Sequence, residues 1–368
     1  MKAIVSGGGS GGHIFPAVAI ANAIKKRWPE ADILFVGAEG RMEMEKVPAA
    51  GYPIEGLPIA GLQRKLTPAN IVKNLQLPFR IMRSNHKVRR ILRNFNPDIV
   101  VGVGGFASAP TLKAAAQMGY PTLLQEQNSY AGLTNMMLAK SARTICVAYE
   151  GMERFFPKES IVFTGNPVRA AIEQMNCTRE EGLAHFGLRA DMPVVLVVGG
   201  SLGARSMNNM MLEYVKHIDG KPVQFIWQTG RWGYRDATVA VEEQKVGDSV
   251  KVHEFIQRMD LAYSAADVVI SRAGAIAISE LCIVGKPVVL IPSPNVAEDH
   301  QTKNAMALVN KGAAMMVVDA ECVTRGISEV KSLLDDAGRM EAMAESIKKL
   351  AVRGAADKIV DEIEKIVK

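Results

Sequence analysis

The sequence predicts an α/β protein built as two doubly wound halves, each a parallel sheet with helices on its faces. Two observations carry that expectation. Short apolar runs alternate with helical periodicity along all 368 residues, the pattern of strand, crossover helix and parallel strand. The same opening also occurs twice: a strand over 2–5 leads into Gly7-Gly8-Gly9-Ser10-Gly11-Gly12-His13, and a strand over 194–198 leads into Gly199-Gly200-Ser201-Leu202-Gly203-Ala204-Arg205. Each reads strand, glycine turn, helix N-terminus, which presents unpaired amides and the positive end of a helix dipole to an anion.

Taken in order, the first half continues with a helix over 17–26 and buried strands over 33–36, 99–103, 122–124 and 144–147, with a helix over 111–118 between them. The second half has a helix over 206–217 and strands over 223–227, 268–270, 288–291 and 314–318. Between the halves, Gly165-Asn166-Pro167 interrupts the alternation, and Thr178-Arg179-Glu180-Glu181 reads as a capping box that starts a new unit. The tail from about 341 is helical with no strand to follow, so it is expected to cross back onto the first half. A chain of this length exceeds what one hydrophobic core serves, and 48% hydrophobic with 22% charged residues is ordinary for a globular protein.

Several classes are excluded early. The four cysteines, Cys146, Cys177, Cys282 and Cys322, show no CxxC or Cys/His spacing, which argues for a reducing compartment and against structural zinc or a disulfide framework. No signal-peptide pattern opens the chain and no apolar run is long enough to span a bilayer, so a cytoplasmic location is expected. No GK[ST] follows either glycine loop, so a P-loop kinase or ATPase is not expected, and no DxD pair is present to hold a metal. The match Gly7-x-Gly9-x-x-Gly12 fits a dinucleotide fingerprint literally. Glu39, after the second strand, keeps a nicotinamide oxidoreductase open as an alternative.

The net charge of +6 is unevenly spread. Between Glu55 and Asp98 there is no acidic residue, while Arg64, Lys65, Lys73, Arg80, Arg83, Lys87, Arg89, Arg90 and Arg93 fall inside that window beside Leu75, Leu77, Phe79, Ile81 and Met82. Interleaved basic and apolar groups suit the surface of an anionic leaflet. A solvated basic helix packing its apolar side inward fits the same pattern. Few aromatics and no recognised motif speak against nucleic acid.

Candidate chemistry gathers at strand ends. His13 would stand at a helix N-terminus, which disfavours imidazolium and leaves the ring neutral as a proton acceptor, although capping or packing explains a histidine there as well. Glu126 follows a strand, at the edge where α/β enzymes place ligand-contacting groups. A third glycine turn, Gly102-Val103-Gly104-Gly105-Phe106-Ala107-Ser108, adds an anion-binding helix start, so Gly104, Gly105 and Ser108 are candidates for a second phosphate-bearing substrate. In the second half, Gly274 permits close approach of a ligand, and Glu280, two helical turns on, can accept both hydroxyls of a ribose. The run Asp299-His300-Gln301-Thr302-Lys303-Asn304 is dense in sugar-compatible hydrogen-bonding groups.

With these motifs assembled, a resemblance emerges. GGGSGGH at 7–13, GVGGFAS at 102–108, QEQNSYAG at 125–132, TGNPVR at 164–169, GGSLGAR at 199–205, EFI at 254–256, SRAGAIAISE at 271–280 and DHQTKNA at 299–305 are similar, in matching order and over nearly the full chain, to motifs of the MurG family, the bacterial N-acetylglucosaminyltransferases of peptidoglycan synthesis. The resemblance implies a GT-B fold, two Rossmann-like domains facing across a cleft. It implies transfer of GlcNAc from UDP-GlcNAc to the C4 hydroxyl of MurNAc in lipid I, with inversion; no cofactor is expected, and the missing DxD pair makes a metal unexpected. It also implies a peripheral position on the anionic cytoplasmic face of the membrane, with other cell-wall synthesis proteins as possible partners and no nucleic acid.

Residue by residue, the resemblance makes Ser10, Gly11 and Gly12 donor-contacting and Asn128 a donor-sugar contact. It places Arg169 and Ser201 near the diphosphate and gives Ile256 a backbone contact to uracil. Ala275, Ile276, Ala277, Ile278 and Ser279 become the donor-binding helix start, Glu280 the ribose ligand and Gln301 a further sugar contact. His13 and Glu126 match positions of the base or active-site acid. Gln125 departs from the family, where histidine is common, and so excludes a proton-transfer role at that neighbour. The implied domains are an acceptor and membrane-associating domain over 1–166, with a helix at about 345–368 packed back on it, and a UDP-GlcNAc domain over 167–344. Leu75, Phe79, Arg80, Met82 and Arg83 form the implied membrane patch. A UDP-GlcNAc 2-epimerase, or a module that binds the nucleotide sugar without turnover, remains an alternative.

Overall fold

The computed structural model describes residues 1–9, 11–59, 77–200, 202–218 and 222–368. The chain forms two compact units, Met1–Val168 with Gly354–Lys368, and Arg169–Arg353.

The first unit is built on seven strands: β1 (Lys2–Ser6), β2 (Asp32–Ala38), β3 (Ile54–Leu57), β4 (Ile99–Gly102), β5 (Thr122–Glu126), β6 (Thr144–Val147) and β7 (Ile161–Phe163). All pair in parallel in the order β3-β2-β1-β4-β5-β6-β7, with Ala3 beside Ile33 on one side and Ile99 on the other. Alternate strand residues enter opposite layers, as the pleat dictates. Ala3, Val5, Phe35, Val101, Leu123 and Cys146 pack with Ile14 and Ile20 of helix Gly11–Arg27. Ile4, Val36, Val100, Leu124 and Ile145 pack on the other face with Val88, Leu92 and Leu112. Burial pushes the Cys146 thiol far up, in keeping with a small core hydrophobe.

The tail is two helices rather than one from 345. Ala337–Lys348 stays with the second unit, where Met343 joins the core. Gly354, in the left-handed region, starts a new helix, Ala355–Val367, whose Ile359, Val360 and Ile363 complete the first unit's core. Arg27 pairs with Asp361 and Glu364 at 2.6 Å each along that seam, an exposed contact that contributes little beside the apolar burial.

The second unit carries β8 (Val194–Val198), β9 (Gln224–Gln228), β10 (Val250–His253), β11 (Val268–Ser271), β12 (Val288–Leu290) and β13 (Met315–Met316), parallel in the order β10-β9-β8-β11-β12-β13. Trp227, Phe225, Val197 and Ile270 pack with Met207, Met211 and Leu333. Helix Arg179–Phe186 begins with the expected capping box: Thr178 accepts from the Glu181 amide, and the Glu181 carboxylate accepts from the Thr178 amide. Strands β3, β7 and β10 lie at sheet edges and were not legible as apolar runs, β3 and β10 because polar residues interrupt them and β7 because its three apolar residues make too short a run.

Candidate functional site

Each sheet has one place where neighbouring strands send their connections to opposite sides, the crevice at which open α/β sheets bind ligands. In the first unit it lies between β1 and β4, and in the second between β8 and β11. The glycine loops follow these four strands.

At the first crevice the two loops touch backbone to backbone. A Cβ on Gly105 would lie 2.3 Å from the Gly8 carbonyl oxygen, and Gly105 also has φ +90°, so only glycine fits. His13 is the third residue of helix Gly11–Arg27, and its Nδ1 lies 3.1 Å from the Gly8 carbonyl oxygen. A carbonyl only accepts, so Nδ1 carries a hydrogen, and a proton-accepting role falls to Nε2. Nε2 points at Gly104, where a Cβ would come within 2.9 Å of it.

A residue the sequence did not single out, Glu43, lies beneath this loop. It is wholly buried at the start of helix Glu43–Ala49, and its Oε2 accepts from the Gly9 amide at 2.9 Å while Oε1 accepts from the Ala38 amide at 3.0 Å. One amide of the first glycine loop is therefore taken by a protein carboxylate, contrary to the expectation that the loop offers its amides to a phosphate. Gly11 and Gly12 open the helix, which has no acid in its first turn. Ser10 lies outside the described residues.

Ser108 also departs from expectation. Its side chain is fully buried, with Oγ 2.6 Å from the Ser6 carbonyl and 2.9 Å from that of Gly104, so the hydroxyl fastens the third glycine turn to β1 and does not reach a diphosphate. Gly104 and Gly105 remain as the backbone candidates there.

Glu126 is 1% exposed, and its carboxylate is saturated. Oε1 accepts from the Asn128 amide at 3.0 Å and the Asn128 side chain at 3.1 Å; Oε2 accepts from the Gly132 amide at 3.0 Å and the Asn135 side chain at 2.9 Å. Four donors meet the roughly four lone-pair sites of a carboxylate, so Glu126 closes the loop that carries Asn128, and no lone pair is left to take a substrate proton. Gln125 is equally committed, donating to the Asn166 side chain at 3.0 Å within a buried amide cluster that includes Gln127.

In the second unit, Gln228 ties two candidate segments together: its Nε2 donates to the Gly200 carbonyl at 3.0 Å and its Oε1 accepts from the Ile256 amide at 2.9 Å. The expected uracil contact through Ile256 cannot use that N–H without displacing Gln228. Ser201 lies outside the described residues. Helix Ala275–Val284 starts after an extended Gly274 with no side-chain cap and no acid in its first turn, so its first amides face outward. Ala275, Ile276, Ala277 and Ser279 are partly exposed, whereas Ile278 is buried in the core and offers its side chain to no ligand.

Two turns along this helix, Glu280 is paired with Arg169 through two 2.6 Å contacts, Nε to Oε1 and Nη2 to Oε2. Arg169 and Glu280, expected to meet different parts of a ligand, thus form one bidentate unit. Each carboxylate oxygen keeps a second lone-pair site. Gln301 joins the group through Oε1, which accepts from the amides of Ala273 (3.3 Å) and Ser293 (2.8 Å), and among the described residues its Nε2 meets no protein acceptor. Arg272 was also missed. It donates to the Ile291 and Pro292 carbonyls, Asp319 and Ser206, fixing the crevice wall.

Helix Leu77–Phe95 divides the basic window. Its C-terminal half buries Val88, Ile91 and Leu92, while Phe79 and Met82, each 71% exposed, stand out beside Ile81, Arg83 and the partly exposed Arg80. Leu75 lies outside the described residues. Glu39 accepts from Lys87 at 3.3 Å. No helix among the described residues is long and apolar enough to cross a membrane.

Comparison with known proteins accords with this arrangement. Residues 3–147 match the glycosyltransferase family 28 N-terminal domain and residues 194–359 the glycosyltransferase family 28 C-terminal domain. A protein of Parabacteroides distasonis, named UDP-N-acetylglucosamine–N-acetylmuramyl-(pentapeptide) pyrophosphoryl-undecaprenol N-acetylglucosamine transferase, is 55% identical over all of this chain and 98% of its own length. A Phocaeicola vulgatus protein of the same name is 52% identical over all of this chain and 96% of its own. The crystal structure of Acinetobacter baumannii MurG superposes with a TM-score of 0.78 at 28% identity, covering 99% of both chains. A UDP-GlcNAc 2-epimerase from Neisseria meningitidis shares the fold alone, at 15% identity and a TM-score of 0.66 over 99% of this chain and all of its own.

Proposed function

The chain belongs to glycosyltransferase family 28, and from that premise we propose that it transfers N-acetylglucosamine from UDP-GlcNAc to the C4 hydroxyl of MurNAc in lipid I, forming lipid II with inversion. Its GT-B architecture supplies two units, each with a glycine-lined crevice. The observation that carries the chemistry is His13, its Nδ1 hydrogen held by the Gly8 carbonyl and its Nε2 turned toward the side-chain-free Gly104. Inversion by single displacement needs one base for the acceptor hydroxyl and stabilisation of the departing UDP. His13 is the base. Glu126 positions Asn128.

The second unit takes the donor. Glu280 receives the ribose hydroxyls on the lone pairs that Arg169 leaves, the amides of Ala275 to Ala277 face the diphosphate, and Gln301 offers Nε2 to the sugar. The first unit takes the acceptor, with Gly104 and Gly105 beside its diphosphate. The test is transfer of radiolabelled GlcNAc from UDP-GlcNAc to a lipid I analogue. A donor-only control that yields the C2 epimer, or donor binding without transfer, would count against this reading. Among the described residues no His, Cys, Asp and Glu cluster is arranged to hold a metal. Transfer is expected to persist in chelator, and its abolition there with recovery in magnesium would assign leaving-group stabilisation to a metal instead.

The exposed end of helix Leu77–Phe95 seats the protein peripherally on the cytoplasmic face of the membrane. Phe79, Ile81 and Met82 enter the headgroup region, and Arg80 and Arg83 meet anionic lipid. Each basic group there contributes on the order of 1 kcal/mol, screened by salt. Replacing Phe79 and Met82 by Ser and Arg80 and Arg83 by Glu is expected to release the protein from anionic vesicles in co-sedimentation while a short-chain soluble acceptor is still used. Wild-type protein that stays in the supernatant at low salt would end this proposal.

A further inference from the structure

Glu43 is a buried carboxylate that the reaction above does not use. It sits on no surface and forms no ion pair among the described residues; its two oxygens accept from two backbone amides, Gly9 and Ala38. Space for it is reserved by residues that lack side chains. A Cβ on Gly8 would lie 2.2 Å from Glu43 Oε1, and one on Gly37 would lie 2.6 Å from Glu43 Cγ.

The connection to His13 runs through a single peptide group. The N–H of Gly9 and the C=O of Gly8 belong to the same planar unit and point in opposite directions in the trans form. Glu43 Oε2 takes the N–H at 2.9 Å, and the C=O takes the Nδ1 hydrogen of His13 at 3.1 Å. We propose that Glu43 is a positioning residue for His13, acting through the Gly8–Gly9 peptide to fix the Nδ1–H tautomer and strengthen Nε2 as a proton acceptor. The inference rests on the reading of His13 as the base.

Two physical effects make the relay work. Hydrogen bonds in a chain polarise one another: an anion on the amide hydrogen shifts electron density toward the carbonyl oxygen, which then holds the imidazole N–H more strongly. A carboxylate at the second remove from a histidine sets its tautomer and ring orientation, as outer partners do for metal-bound histidines. Here the carboxylate reaches the ring through a peptide rather than directly. Its burial keeps water from replacing it. The second contact, to Ala38 at the end of β2, ties the carboxylate to the sheet, so the loop peptide is held against a rigid element.

Glu43→Gln is isosteric but turns one acceptor oxygen into an NH2 facing an amide N–H, so one of the two contacts is lost. It is expected to lower kcat on the order of 10-fold, the lower end of what loss of such an outer partner costs, with KM for UDP-GlcNAc unchanged. Glu43→Asp, which keeps the charge, is expected to recover part of the loss. The direct readout is the 15N spectrum of the His13 imidazole in folded full-length protein. Wild type should show a protonated Nδ1 and an unprotonated Nε2, and Glu43→Gln a growing share of the opposite tautomer.

A wild-type His13 protonated on Nε2 would overturn the proposal even if Glu43→Gln failed to fold, and so would a folded Glu43→Gln with unchanged kcat and tautomer. A loss of melting temperature without change in kcat, KM or tautomer would make Glu43 a structural group and end the proposal too. His13→Ala separates the two levels. If that variant keeps full turnover the base assignment itself fails, whereas an inactive His13→Ala beside an unaffected Glu43→Gln sinks only the relay.

Discussion

His13→Ala is expected to lower turnover by roughly 10²–10⁴-fold, the range for removal of a general base, while UDP-GlcNAc affinity in calorimetry changes little. The asymmetry follows from where the residue sits. His13 belongs to the first unit's crevice, whereas the groups proposed to hold the nucleotide, Glu280 and the amides that open helix Ala275–Val284, belong to the second unit. The imidazole is only partly buried, so its truncation should not unfold the protein. Glu126→Gln makes the informative comparison. Replacing one oxygen of a carboxylate that accepts four hydrogen bonds by an NH2 group sets donor against donor, so this variant should lose melting temperature and donor-sugar contact through Asn128 together. Should Glu126→Gln prove stable yet far more damaging to turnover than His13→Ala, the base is Glu126.

The contrast between these two residues marks what could be read in the sequence. The repeated strand, glycine turn and helix start placed both crevices, because a glycine run between a buried strand and a helix is a local signal with a local cause. His13 and Glu126 were both visible as polar groups at strand ends. Their division of labour was not, since it depends on which partners a loop folds back to offer: the Glu126 partners come from Asn128, Gly132 and Asn135, and only the folded loop brings all four of their donors to one carboxylate. Glu43 was invisible for a related reason. A glutamate in the first turn of a short helix looks like an ordinary favourable helix-dipole residue, and nothing nearby in sequence says that its carboxylate reaches Gly9, 34 residues earlier. Ser108 was misread because a serine at a helix start is as apt to bond a carbonyl beneath it as a ligand above. Edge strands β3 and β10 escaped notice because polar residues break the apolar run that marked the central strands, and β7 because three residues are too few to stand out.

Arg169 and Glu280 are 111 residues apart, and their pairing yields the other large expected effect. The Glu280 side chain is 4% exposed and that of Arg169 41% exposed, so the two halves of the pair are not equivalent. Arg169→Ala strands a buried carboxylate without its partner, and breaking a buried pair in that way costs about 3–5 kcal/mol. Glu280→Ala instead leaves an arginine that can turn toward water, at a much smaller cost to folding. For donor binding the order reverses. Glu280 is the group proposed to accept the ribose hydroxyls, and losing a charged acceptor weakens binding by about 1.5–3 kcal/mol, roughly 10- to 150-fold in Kd. Thermal unfolding should therefore single out Arg169→Ala and calorimetry with UDP-GlcNAc should single out Glu280→Ala. A double variant in which Arg169 and Glu280 are both replaced by apolar residues of similar volume should regain stability over Arg169→Ala, since no buried charge is then left unpaired, without regaining donor affinity. Unchanged donor affinity in Glu280→Ala would remove that residue from the ribose site and leave the pair as a purely structural link between helix Ala275–Val284 and the start of the second unit.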